Sequence, residues 1–238
     1  MAARRVARRR PPAAPAPALD LAALGEDHAT SLDGKRPPKP DPGLLDRYFA
    51  PAPADRTAVL AGGSVDVPGG DGLPARISAG RAPMSQRVTL DRPGTPYAQS
   101  ANMAVRRSLF DAIGGFDPVA RAGEDADLCF RLAAAGWALE ERPEAVVRHS
   151  SRATLPSRLA QLARHGSGAA WLNRRYPNEF PPPRPRELAA RLARTAGGAA
   201  AAGVRGRREA AAAELVELCC ACAFETGRLL SNRARGAL

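Results

Sequence analysis

Glycine and proline punctuate this chain so heavily, at 22 and 23 residues, that the first constraint on its fold is where they thin out. They concentrate outside the stretch from Asn102 to His149. Segments broken that often bury too little apolar surface to offset the entropy of ordering the backbone, which predicts irregular or disordered ends. About 120 residues remain for a packed unit, one modest domain. Hydrophobic residues make up 45% of the chain and aromatics 5%. Much of that apolar content is alanine, which buries little area, so the core must be built from Leu, Val and Ala.

The formal net charge of +11 comes almost entirely from arginine. Such a balance suits nucleic acid or an anionic membrane surface, and it equally follows from a coding bias toward Ala and Arg. Residues 1–42 read as a disordered basic Pro/Ala tail. Arg4, Arg5, Arg8, Arg9 and Arg10 lead it, and helical periodicity is brief, around Leu19 to Leu24. An arginine arm grips phosphate, but without interleaved aromatics or a folded partner motif the tail reads as solvated, and nucleic acid is disfavoured. Cys129, Cys219, Cys220 and Cys222 form no zinc spacing and read as reduced, buried thiols of a cytoplasmic protein. No segment approaches the roughly 18 apolar residues that span a bilayer, and the N-terminus has no apolar signal core.

Patterning begins at Gly43. Leu44 to Phe49 reads as a short helix stopped by Pro51 and Pro53, and Thr57 to Ala61 as a buried strand closed by Gly62-Gly63. Val65 and Val67 suggest a second short strand, and Leu73 to Arg92 a loop with an ill-defined helix. Ser108 is placed to cap a helix carrying Leu109, Phe110 and Ile113, with Asp111 completing a capping box and Gly114 ending it. A second helix is expected from about Asp125 to Ala135, with Leu128, Cys129 and Leu132 inward and Asp127 and Arg131 paired on its outer face. Trp137 to Glu141 reads as an edge strand. Pro143 breaks the chain before another short strand, Ala145 to Arg148, which ends at His149. Leu155 to Trp171 is helical, loosened midway by Gly166-Ser167-Gly168. After the Pro181-Pro182-Pro183 linker, an Ala/Arg-rich helical extension carries Leu215, Leu218, Cys219, Cys222 and Leu229 as one apolar stripe. That extension suits packing on a partner, or peripheral contact with the inner face of a membrane.

The residues with the most chemical promise are Glu124, Asp125 and Asp127, directly after Gly123. Acidic residues in a first helical turn are favoured by the helix dipole alone, so a purely structural role stands beside a functional one. A rigid helix start facing a cleft, with a neighbouring carboxylate to raise proton affinity, also makes a general base. The small polar segment around Asn102 is a candidate for the facing wall. His149 is a candidate metal ligand beside carboxylates; His165 has a weaker case and His28 none. Cys219, Cys220 and Cys222 sit on the apolar stripe and read as packing.

Taken in order, Ser100 to Arg107, Gly114-Gly115-Phe116-Asp117, Gly123-Glu124-Asp125-Ala126-Asp127-Leu128, Arg131-Leu132, Gly136-Trp137, Pro143-Glu144-Ala145 and Val147-Arg148-His149 resemble the family 2 glycosyltransferases. Within that family the chain looks most like soluble actinobacterial-type members, including those of mycofactocin-type systems. The resemblance implies an α/β, GT-A (Rossmann-like) domain over residues 43–177, with residues 178–238 as linker and helical extension. It implies inverting transfer of a sugar from a nucleoside-diphosphate donor to the hydroxyl of an unspecified acceptor. Asp125 would be the base, with Glu124 beside it. Asn102, Arg106, Asp127 and Trp137 would support donor and acceptor, and a divalent metal, Mn or Mg, would bind with help from His149. Family members also carry an Asp-x-Asp metal motif upstream, expected here near Lys35 to Pro37, where only Asp33 stands nearby. The sequence therefore predicts a partial GT-A domain lacking its N-terminal nucleotide-binding half, a truncated enzyme. The alternative is a non-catalytic remnant or partner-binding module.

Overall fold

The computed structural model describes residues 39–80 and 85–234. Residues 1–38, and with them most of the expected tail and Asp33, lie outside the described residues. The described chain begins in a strand earlier than residue 43. The elements in order are β1 (Lys39–Pro40), α1 (Leu44–Phe49), β2 (Thr57–Val67), α2 (Leu73–Gly80), α3 (Arg87–Leu90), a 3-10 turn (Ser100–Asn102), β3 (Met103–Val105), α4 (Arg107–Ala112), α5 (Glu124–Ala134), β4 (Ala138–Ser150), α6 (Leu155–Arg175), α7 (Pro185–Val204) and α8 (Arg208–Gly227). The class is mixed α/β, consistent with part of a Rossmann-like layer.

The sheet runs β1-β4-β2-β3, with β2 and β4 parallel and the outer pairs antiparallel. Period-2 alternation sorts β2 onto two faces. Val59 and Ala61 pack with Leu128, Cys129 and Leu132 of α5, while Leu60 meets Tyr48 of α1 and Ala145. The cores are small and rich in alanine and valine, as the composition requires.

Several expected breaks are continuous in the structure. Gly62-Gly63 does not end a strand; β2 passes through both, because β4 bulges opposite them. The register jumps from Gly62↔Arg142 to Gly63↔Val146, so Pro143 to Ala145 loop out and no proline N–H is needed in the ladder. The first half of β4 pairs only with β2, as an edge would, while its second half is interior. Ser108 is not a cap: α4 starts at Arg107, and Asp111 pairs with Arg107 Nε at 2.9 Å. The stretch expected as a loop with an ill-defined helix holds two helices, α2 and α3. Asp127 faces inward with none of its surface exposed, reversing the expected outer-face pair.

The helical extension also differs from its pattern. Gly166-Ser167-Gly168 is uninterrupted helix and wholly buried. A Cβ on Gly166 would strike the Phe224 carbonyl of α8, and one on Gly227 would strike the Ala163 carbonyl of α6. Bare glycines thus let the two backbones meet, and Gly227 is the residue of α8 that is buried. Leu215, Cys219, Cys222 and Leu229 are exposed instead, correcting the reading of those thiols as buried; Cys129 alone is fully buried. No helix of the described residues is long and apolar enough to cross a membrane.

The glycines of this extension separate by sign. Gly227→Ala must push apart α6 and α8 and is expected to cost about 1–3 kcal/mol. Gly197→Ala, where nothing lies within 4 Å of the new Cβ, should gain about 0.5–1 kcal/mol from helix propensity. Chemical denaturation of both variants checks the contrast.

Candidate active site

Topology divides the predicted residues between two edges. β2 and β4 are parallel, and their carboxyl ends carry Asp66 and His149, paired in register. β3 is antiparallel to β2 with Met103 opposite Ala61, so the Ser100–Asn102 turn also lies toward that end. α5 feeds β4 at Ala138, which bonds the Arg56 carbonyl, so the first turn of α5 faces the carboxyl ends as well. Ligands of open α/β sheets bind at this edge.

Gly123 admits the chain to α5 in the left-handed region, at φ 84°, where a side chain would be strained. It also has no room for one, since a Cβ would sit 2.8 Å from Leu172 Cδ1. The helix then opens with Glu124 and Asp125. Asp125 is half-buried, its Oδ2 accepting the Ser100 N–H at 3.1 Å and its Oδ1 the Ala126 N–H at 2.8 Å. Removal from water, and then the Glu124 charge, push its carboxyl from 3.8 up to about 6, against the pull of those backbone donors. Tyr97 and Cys129 stand close enough to feel the Asp125 charge. Burial first, and that charge also, hold the Tyr97 phenol above its ordinary range and the Cys129 thiol at about 12. Asp125 is therefore a carboxyl whose proton exchange is moved toward neutrality. Glu124 Oε2 is buried and has no hydrogen-bond partner among the described residues.

Asn102 stands behind this site as structure. Its Nδ2 donates to the Gly63 carbonyl at 2.7 Å and the Ala145 carbonyl at 2.6 Å, and its Oδ1 accepts the Tyr48 hydroxyl at 2.8 Å. Gln86 Nε2 holds the Asn102 carbonyl at 2.9 Å. With its carboxamide so engaged, Asn102 supports the turn that presents Ser100 N–H to Asp125, and does not itself face a substrate.

Asp127 is committed to packing. Its carboxylate binds Arg131 Nε at 2.8 Å, the Tyr176 hydroxyl at 2.7 Å and Arg175 Nε at 3.0 Å. Arg131 in turn donates to the Ile113 and Gly115 carbonyls beyond the end of α4. This network ties α4, α5 and α6 together. Arg106 and Trp137 lie at the opposite edge from Asp125. Arg106 bonds the Thr57 carbonyl at the start of β2 and borders a shallow depression with Phe49 and Pro53. Trp137 precedes β4, beyond the far end of α5, and packs on the core. The structure thus gathers Glu124, Asp125, the Asn102 turn and His149 on one edge, and leaves Arg106 and Trp137 off it.

His149 Nδ1 stands 3.5 Å from Asp66 Oδ1, both side chains nearly buried. Asp66 carries no signal in the sequence, since a charged residue between Val65 and Val67 is the ordinary alternation of a strand; its burial beside His149 is what sets it apart. An imidazole and a carboxylate suit Mn or Mg, but such ions take about six ligands. Among the described residues no group of His, Cys, Asp or Glu gathers that could hold a metal. The described residues therefore do not by themselves form a metal centre.

The two aspartates of this turn are expected to answer differently to substitution. Asp125 should titrate at about 6, and Glu124→Gln should lower it only part of the way, because removal from water, the larger cause, remains; carbon-13 NMR of the carboxyl reads both. The folded state holds this proton more tightly than the unfolded chain does. Its contribution is therefore present below the unfolded value of 3.8 and is lost as pH rises through about 6. Asp125→Asn should accordingly be at least as stable as the parent at pH 8. Asp127→Ala, which removes the buried acceptor shared by Arg131, Arg175 and the Tyr176 hydroxyl, should cost about 1–3 kcal/mol in denaturant titrations.

Against known proteins, the chain matches the profile described as Glycosyl transferase family group 2 over residues 84–205, just over half its length. The match contains the turn at Ser100, the α5 carboxylates and His149, and runs on into α7. The Pre-mycofactocin glycosyltransferases of Mycobacterium tuberculosis strains CDC 1551 / Oshkosh and ATCC 25618 / H37Rv are each 41% identical over 86 residues. That segment is 36% of this chain and 18% of the length of each relative. The chain belongs to glycosyl transferase family group 2.

Proposed function

We propose that this chain carries the acceptor-activating part of an inverting glycosyl transfer from a nucleoside-diphosphate sugar, with Asp125 as the general base. The observation that carries the reading is the Asp125 carboxylate itself. It is half-buried at a helix start, on the ligand-binding edge of the sheet, with its proton affinity raised to about 6. A base with that affinity is largely ionised at neutral pH yet still takes a proton readily.

In the reaction, the acceptor hydroxyl gives its proton to Asp125 as its oxygen bonds to the anomeric carbon. The bond from that carbon to the diphosphate oxygen breaks on the opposite face, and the nucleoside diphosphate leaves with both bonding electrons. Ser100 N–H and Ala126 N–H fix the carboxylate's direction, and burial, with Glu124 beside it, keeps it basic. The relatives' name supports pre-mycofactocin as the first acceptor to try. Mn or Mg remains part of the proposal through the family. The described residues account for proton removal, not for neutralising the leaving group. A second role, peripheral contact with an anionic membrane, is favoured by the exposed Leu215, Leu229 and Leu230 on an arginine-rich extension and is tested by vesicle co-sedimentation.

Turnover is tested with UDP-, GDP- and dTDP-sugars, Mn or Mg, and pre-mycofactocin. It should rise with pH to a plateau above about 6, and Asp125→Asn should lose about 10²–10⁴-fold with donor affinity and melting temperature retained. Full turnover by Asp125→Asn overturns the assignment of the base. Binding without turnover in the parent chain returns it to the partner-binding alternative.

A further inference from the structure

We propose that Asn232, in the segment following α8, is a positioning residue for the Glu124–Asp125 carboxylates. The proposal rests on the reading of Asp125 as the general base and adds a residue 110 positions from the loop it holds.

The loop entering α5 is tied to itself at its start, where the Val119 N–H donates to Asp117 Oδ1 at 3.0 Å and the Ala120 N–H to the Asp117 carbonyl at 3.1 Å. Residues 119–122 form no helix or named strand, and Val119 is 40% exposed. Their backbone is also tied to the C-terminal segment. Arg121 N–H donates to the Asn232 carbonyl at 2.9 Å, Ala234 N–H donates to the Val119 carbonyl at 2.9 Å, and Ala120 bridges Arg233 antiparallel. The short pairing ends in a side-chain contact, Asn232 Nδ2 to the Ala122 carbonyl at 2.9 Å. Asn232 is only 5% exposed. Its Oδ1 lies 3.2 Å from the Ser167 hydroxyl, whose proton it shares with the Arg164 carbonyl at 2.8 Å, so the carboxamide stands between α6 and the loop.

The helix α6 is shaped to admit this relay. A Cβ on Gly168 would stand 2.8 Å from the same Ala122 carbonyl. Gly123 follows directly, and then Glu124 and Asp125. The helix start is therefore held from two sides, by the Asn102-supported turn at Asp125 and by Asn232 at Ala122. Without the Asn232 donor the Ala122 carbonyl, in a residue only 8% exposed, is left unpaired unless the loop moves toward water. Such a shift re-aims the first turn of α5, and a misplacement of about 1 Å is enough to cost about 100-fold in rate. The extension, in this view, is part of the acceptor-side machinery.

The test uses Asn232→Ala in the full chain, beside Asp125→Asn. Turnover should fall about 10–100-fold with acceptor KM within about twofold, and the acidic limb of the pH profile should move from its position near 6. Amide hydrogen exchange should quicken over residues 122–128 and stay unchanged in the middle of α8. Ser167→Ala, which frees Asn232 without touching the loop, should show a smaller effect of the same kind and serves if Asn232→Ala does not fold. A lowered melting temperature with the pH limb and the exchange of residues 122–128 unmoved overturns the positioning role. Exchange is read without turnover, so it still decides the matter if Asp125→Asn retains activity and the base assignment fails.

Discussion

The carboxamide of Asn102 closes a gap that the sheet opens in itself. Where β4 bulges at Pro143 to Ala145, Asn102 Nδ2 donates to the carbonyls of both Gly63 and Ala145 and so bridges the two strands at the irregularity. The arrangement requires Gly62 to be bare, since a Cβ there would lie 2.7 Å from the Ala145 carbonyl and collide with Asn102 and Tyr48. One buried amide therefore joins β2, β4, α1 and the turn before β3. A group so placed has more effect than its own hydrogen bonds, because removing it strands several buried polar atoms together. The Ser100 N–H that steadies Asp125 is one turn away from it.

The first turn of α5 shows how position on a helix assigns unlike tasks to like residues. Asp127 lies wholly inside and meets arginines 131 and 175 and Tyr176, so it is paired and structural. Asp125, two residues earlier, sits at the rim with backbone donors and a neighbouring carboxylate, and it retains its proton to about 6. The difference lies in the partner charges that the fold brings to each, since residue type and helix-dipole position are nearly the same.

The extension behaves in the same way. Its leucine and cysteine stripe follows helical periodicity, yet that face is exposed. Glycines 166 and 227 allow a backbone approach that larger residues forbid, and the close contact of small residues decides which face turns inward. Hydrophobic patterning weighs apolar bulk and does not see close approach. The Asn232 relay, the Arg92–Glu179 pair at 2.7 Å over the Phe180 ring and the Asp66–His149 pair are likewise contacts between distant segments, and local pattern carries no sign of such pairings.

Local sequence was sufficient for the class of the fold and the order of its central elements. It also placed α5 between Gly123 and Gly136, and picked out the carboxylates as the chemically promising group, because helix starts, turns and alternating strands are set by neighbours along the chain. Tertiary structure alone decided that β2 runs through its glycines, that Asn102 is a brace, that Asp127 is buried, and that Arg106 and Trp137 stand at the wrong edge. Those outcomes depend on which strand lies opposite and which helix end meets which loop, a matter of distance in space. The Gly123–Leu128 turn was legible as a site; the sorting of its two aspartates into a proton-exchanging rim group and a buried tie was not.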